Sequence, residues 1–362
     1  MSAVDLDDLK AIEEIDEDGM LKVIEDFPLQ CQEAVDLARC LSFDIPSDMR
    51  SIVVLGMGGS GIGGDIVKVL LEDELRIPLL VNKGYLLPRF VDDKTLCLAV
   101  SYSGNTEETL SGFDQAVERG CPVISITTGG LLENKAEERG LPIVKIPKGL
   151  QPRAALGYLS LPILVVLERM ALIGDKDQDI QETLAILDER ARNFSLHKPL
   201  NQNEAKRLAN CLCGKVPVVY GSDGPTAVAA LRWKCQFNEN SKVPAFWNVF
   251  PELNHNETVG WELLRDITGH FLLLLLRDAE ESERVKKRVK ITRSLIEDHF
   301  SGVREVWSEG KSRLARTFSL IYLGDFVSFY LAALNGVNPS PVERISVLKR
   351  RLSEGVRMNG SG

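Results

Sequence analysis

Histidine is scarce in this chain, with four in 362 residues, and several familiar ligand signatures are missing. No Gly-Lys-Ser/Thr closes the glycine-rich stretch at 56–64, which excludes a P-loop. The strand Pro78-Leu79-Leu80-Val81-Asn82 ends without the acid that a dinucleotide fold sets on the ribose. Glu252 and Glu257 flank His255, but their spacing fits no zinc pattern, so no metal is expected. Met1 to Lys10 is acidic rather than basic and apolar, so no signal peptide is expected. The apolar run Phe271 to Leu276 is far too short to span a bilayer and reads as a buried strand. Basic excess is also lacking. A net charge of −9 argues against a general nucleic-acid or membrane surface, and an anionic substrate would need a locally positive pocket. Seven scattered cysteines form no pairing framework and read as reduced thiols of a cytoplasmic protein. Cys211 and Cys213, without a second pair, read as core rather than metal ligands.

What is present is a soluble globular composition, 44% hydrophobic and 26% charged, in a length that suits two domains. The chain is organised around Ile52-Val53-Val54-Leu55 and the glycine-rich residues that follow. Four consecutive apolar residues read as a parallel strand covered on both faces. Gly56-Met57-Gly58-Gly59-Ser60-Gly61-Ile62-Gly63-Gly64 then reads as a sharp turn, with a helix from Ile66. Backbone N–H groups between strand and helix make a natural phosphate seat. Two alternatives stay open: the embedded G-x-G-x-x-G of a dinucleotide fold, and a tight turn with no ligand.

Residues up to Phe43 carry apolar positions at helical spacing and form a helical preface, ended by Pro46. From Ser51 to Pro147, strands at 52–55, 79–82, 95–100, 122–126 and 142–146 alternate with helices, which implies a parallel sheet between helical layers. The third strand runs into Ser101-Tyr102-Ser103-Gly104-Asn105-Thr106, a second hydroxyl-rich bend where open α/β sheets bind ligands. Its bland reading is helix capping by Thr106. Residues 174–206 look like a polar helical linker. The rhythm then resumes with strands at 216–220, 244–248, 270–276 and 303–306 and closing helices at 313–334 and 341–353, suggesting an internal duplication. The expected division is a preface at 1–46, a first domain at 47–195, a second at 196–358 and a disordered tail at 359–362.

Gly56-Met57-Gly58-Gly59-Ser60-Gly61, Ser101 to Thr106, Pro152-Arg153, Asn238-Glu239-Asn240, Asn254-His255-Asn256-Glu257 and Leu348-Lys349, in that order, resemble the sugar-isomerase (SIS) fold. More closely they resemble the bifunctional phosphoglucose/phosphomannose isomerases of archaea and some bacteria. The resemblance implies two tandem α/β domains of SIS type, each a doubly wound parallel sheet. It implies glucose 6-phosphate and mannose 6-phosphate as substrates, interconverted with fructose 6-phosphate without a cofactor. By the same resemblance Ser60, Ser101, Ser103 and Thr106, with Gly59 beside them, hold the phosphate. Arg153 is the family's arginine, Glu239 its base, His255 its ring-opening histidine and Lys349 its late lysine. The family acts as a homodimer in which the histidine crosses to the neighbouring subunit.

The chemistry suits those residue types. Moving a proton between C2 and C1 through a cis-enediolate needs a held base and a donor near the developing oxyanion. Glu239, at the end of an apolar-rich helix, is the base candidate, although a solvated surface glutamate is its ordinary reading. A histidine exchanges protons near neutral pH and suits ring opening. Pro152 restrains the backbone before Arg153; otherwise Arg153 is a surface arginine paired with an acid. Lys349 shares a basic helix face with Arg350 and Arg351. Serving both C2 epimers requires rotation about C2–C3, and Ser340 between two prolines would leave room for it. Two other classes compete: a sugar-phosphate sensor, which would carry a basic DNA-reading helix and have no use for Glu239, and an amidotransferase isomerase domain, which would need an N-terminal cysteine nucleophile. Cys31 and Cys40 instead fall at helical apolar spacing.

Overall fold

The structure, a computed structural model, describes residues 4–46 and 48–358; the tail expected to be disordered, 359–362, lies outside the described residues. The preface is three helices, α1 (Leu9–Ile15), α2 (Met20–Glu25) and α3 (Phe27–Arg39). The first sheet unit runs β1 (Ser51–Leu55), α4 (Gly58–Leu70), β2 (Leu79–Asn82), β3 (Thr95–Ser101), α5 (Glu107–Glu118), β4 (Val123–Thr127), α6 (Gly130–Glu137) and β5 (Ile143–Lys145). Three helices follow: α7 (Leu156–Arg169), α8 (Asp177–Phe194) and α9 (Glu204–Leu212). The second unit is β6 (Val216–Ser222), α10 (Pro225–Glu239), β7 (Phe246–Phe250), α11 (Leu253–Asn256), α12 (Arg265–Thr268), β8 (Phe271–Arg277), α13 (Glu283–Ile296) and β9 (Val303–Trp307), closed by α14 (Arg313–Leu334) and α15 (Glu343–Met358).

All strand pairs are parallel, in the orders β2-β1-β3-β4-β5 and β7-β6-β8-β9. Runs such as Ile52-Val53-Val54-Leu55 and Leu272 to Leu276 are buried on both faces, which is why they lack polar alternation. The expected strands fall within two residues of the observed ones. Two long buried helices, α7 and α14, join the sheets in one core. α14 is long and apolar enough to cross a bilayer, yet its apolar window is fully buried inside the protein.

Three expectations need correction. Residues 174–206 are no linker: α8 buries Ile180, Thr183, Leu187 and Phe194 against α14, and buried Arg190 pairs with Glu309 at 2.9 Å. The helix expected from Ile66 starts at Gly58, so most of the glycine run lies inside α4. The reason is crowding. A Cβ at Gly63 would stand 2.2 Å from the Leu159 carbonyl oxygen, and one at Gly64 would stand 2.8 Å from Val54 Cγ1. Glycine there lets α4 press onto α7 and β1. Cys40 is exposed at the end of α3, whereas Cys31 is buried; Cys211 and Cys213 pack at the margin of the core.

Candidate active site

β1 and β3 are neighbours, so their carboxyl ends bring the two hydroxyl-rich segments together. The Tyr102 N–H donates to Ser60 Oγ at 3.3 Å, tying the first turn of α4 to the bend after β3. Ser101 Oγ donates to Thr106 Oγ1 at 3.1 Å and accepts from the Gly104 N–H at 3.1 Å. Ser103 Oγ, at the surface, accepts from the Asn105 N–H at 3.3 Å. Thr106 stands at the N-cap of α5, but its hydroxyl makes no capping bond there. It faces Ser101 instead, which removes the capping explanation for this bend. Gly59 has a steric duty: a Cβ would come within 2.6 Å of the Pro152 carbonyl oxygen. Glycine therefore lets the Pro152-Arg153 loop close over the start of α4.

Arg153, only 4% exposed, is held on three sides. Its Nε donates to Asn240 Oδ1 at 2.7 Å, and one terminal nitrogen donates to the carbonyls of Pro339 (2.9 Å) and Ser340 (2.8 Å). The other terminal nitrogen stands 3.7 Å from Glu239 Oε2. Burial pulls the Arg153 guanidinium below its ordinary value; Glu239 opposes that and nearby Arg232 adds to it. Glu239, at the end of α10, keeps its side chain 32% exposed. The asparagines beside it are structural: Asn238 Oδ1 accepts from the Ala245 N–H, and Asn240 Nδ2 donates to Ser328 Oγ at 2.9 Å. Gly59, Pro152-Arg153 and Glu239-Asn240 thus form a chain of contacts from the hydroxyl bends to the carboxylate. Ser340, 5% exposed, joins it through its backbone carbonyl.

His255 is not brought to this place within one chain, and Lys349 hydrogen-bonds none of the described residues here. Ser222 at the end of β6 pairs with Phe250 at the end of β7, so α11, with His255, follows at the end where α10 begins. Glu239 is at the other end of α10, whose 15 residues span roughly 20 Å. His255 is exposed, and among the described residues no side chain hydrogen-bonds its imidazole. Lys349 lies on an exposed stretch of α15 and has no side-chain partner among the described residues.

Behind Arg153 lies a polar network that sequence reasoning missed. Arg232 donates to the Arg153 carbonyl at 2.9 Å and to Asp325 Oδ2 at 2.8 Å, while Gln236 donates to Asp325 Oδ1 at 2.8 Å. Burial pushes the Asp325 carboxyl up, and Arg232 and Gln236 counter it. Its signal was present. Arg232 and Gln236 on α10 and Asn240 at its C-cap recur every four residues, and Asp325 is the sole acid of α14. Lys242 was also passed over. Its ammonium reaches the carbonyls of Glu239, Pro339 (3.2 Å) and Pro341 (2.6 Å).

Two parallel sheets with hydroxyl-lined strand ends in the first define a class, and comparison with known proteins agrees with it. Residues 47–137 match the SIS domain, and residues 201–352 match the bacterial phospho-glucose isomerase C-terminal SIS domain. The chain is a protein of two SIS domains. It is 46% identical to the bifunctional phosphoglucose/phosphomannose isomerase of Caldicellulosiruptor bescii over 92% of this chain and 99% of that one. It is 40% identical to the protein of the same name from Aquifex aeolicus, over 92% and 98% of the two chains. It therefore belongs to the bifunctional phosphoglucose/phosphomannose isomerase family. A glucose-6-phosphate isomerase-like protein from Thermus thermophilus has the same fold, with a TM-score of 0.63 and 20% identity over 93% of this chain and 98% of that chain.

Proposed function

We propose that the protein interconverts glucose 6-phosphate and mannose 6-phosphate with fructose 6-phosphate in the cytoplasm. The domain expected at 47–195 grips the phosphate, and the domain expected at 196–358 supplies the base. Ser60, Ser101, Ser103 and Thr106, with the N–H groups at the start of α4 and α5, take the phosphate. The sugar then extends towards α10, where Glu239 moves the proton between C2 and C1. The Arg153 terminal nitrogen facing Glu239 stabilises the enediolate oxygen; its other donors are spent on Asn240, Pro339 and Ser340, so it is preorganised rather than mobile. Ser340 borders the space in which C2–C3 turns. The observation that carries this reading is the 3.7 Å approach of Arg153 to Glu239, fixed to the hydroxyl bends through Gly59 and Pro152.

The site is completed in a homodimer. His255 of the partner subunit opens the pyranose, and Lys349 closes the pocket from α15. Support comes from the separation of His255 and Glu239 along α10, and from the apolar surface that follows His255. Val259, Leu263, Leu264 and Ile267 are exposed, Leu263 by 76%, as are Phe246 and Trp247 on edge strand β7. Exposed apolar patches of this extent mark interaction surfaces. Enediol chemistry by this route uses side chains alone. Fructose 6-phosphate formation should therefore be measured from both aldoses, with and without chelator. Turnover of both, unaffected by chelator, is expected. Turnover of neither would leave a sugar-phosphate sensor, and loss on chelation would call for a metal.

A further inference from the structure

Lys242 stands just beyond the carboxylate-bearing end of α10 in a conformation that lysine seldom adopts. Its φ is +58°, in the left-handed region where a Cβ is strained. Strain of this kind persists where the surroundings impose it, often beside functional groups. The bend turns the side chain back across the segment Asn338 to Pro341. The ammonium has three N–H donors and no acceptor, and it meets three carbonyls, those of Glu239, Pro339 and Pro341. Two of these belong to the segment that Arg153 also grips, through Pro339 and Ser340. One cation thus holds the strap to the last turn of α10, and another holds it to the loop before α7.

We propose that Lys242 is a positioning residue for the isomerisation, stapling the Glu239 turn of α10 to the Pro339–Pro341 strap so that the base and the wall beside C2–C3 are held as one unit. The proposal rests on Glu239 being the base. It requires no contact between Lys242 and the sugar. Removing the staple frees the end of α10 and leaves the hydroxyl bends that grip the phosphate intact. The defect therefore falls on kcat rather than KM.

The test compares Lys242→Met, Lys242→Arg and Lys242→Gly with the native enzyme, using fructose 6-phosphate. In Lys242→Met, kcat is expected to fall about 10- to 100-fold, the loss that follows a misplacement of about 1 Å, with KM nearly unchanged. Lys242→Arg should recover most of the rate. Lys242→Gly relieves the backbone strain, so it should unfold no more readily than Lys242→Met yet be equally slow. A Lys242→Met enzyme within threefold of native kcat, a rise confined to KM, or full recovery of rate in Lys242→Gly would each overturn the proposal. Glu239→Gln separates it from its premise: an active Glu239→Gln removes the base assignment itself. An inactive Glu239→Gln beside a native-like Lys242→Met removes only the staple.

Discussion

The two sheets are built alike, and the proposed site uses them at opposite ends. In the first, the residues assigned to the phosphate lie beyond the carboxyl ends of β1 and β3, where open α/β sheets bind ligands. In the second, the equivalent bend after β6 is closed on itself, because Thr226 Oγ1 accepts from the Ser222 N–H at 2.7 Å and donates to the Ser222 carbonyl at 2.9 Å. A Cβ at Gly221 would meet the Thr226 carbonyl oxygen at 2.3 Å. That bend spends its hydroxyl on its own backbone. What the second unit offers to the proposed site is Glu239 at the far end of α10, 3.7 Å from Arg153. A duplicated fold need not duplicate its site, since only one copy has to keep an open strand end.

Replacing Glu239 by Gln breaks the comparison most severely, with kcat expected to fall about 10²- to 10⁴-fold while KM changes little, as for loss of a general base. A fall in affinity with kcat preserved would instead place the carboxylate among the binding groups. Next, Gly63→Ala should destabilise the fold by roughly 3 kcal/mol, as overpacking does, because its Cβ has no room beside Leu159. Denaturant unfolding measures this, and an unchanged midpoint would mean that α4 and α7 are not so tightly pressed. Ser101→Ala, on the first sheet, should raise KM about tenfold at similar kcat, the effect of one hydrogen bond to a charged group. An equal loss in kcat would blur the division of labour between the sheets.

The smallest effect concerns the shared core. Tyr322 and Tyr330 donate to the carbonyls of Ile24 (2.9 Å) and Phe194 (2.6 Å), and burial holds both phenols above their ordinary value of 10.0. The unfolded chain therefore releases these protons first as pH rises. Their contribution is complete below pH ~10 and is lost above it. The denaturation midpoint should fall as pH rises above about 10, and Phe at both positions should flatten that fall. A pH-independent midpoint in the native chain would contradict the linkage.

Much of this was legible in the sequence, for reasons that also explain the rest. Parallel strands declare themselves because burial on both faces demands continuous apolar runs, as at 52–55 and 272–276. Hydroxyl-rich strand ends were readable because few other contexts gather Ser101, Ser103 and Thr106 in six residues. Glycine was ambiguous: Gly63 and Gly64 serve packing against Leu159 and Val54, partners that lie elsewhere in the chain. The charge of α8 masked its buried stripe from Ile180 to Phe194, and the partnership of Arg232 with Asp325 spans 93 positions. Local pattern also assigns His255 to a polar turn, without saying which chain's pocket that turn faces.

The most direct measurement mixes two inactive chains, one carrying Glu239→Gln and the other His255→Ala, under conditions that allow subunits to exchange. Random two-fold pairing leaves one intact site in each mixed dimer, so activity should return to about one quarter of the native level. Activity no greater than the sum of the separate variants would contradict a pocket assembled from two subunits and require Glu239 and His255 to act within one.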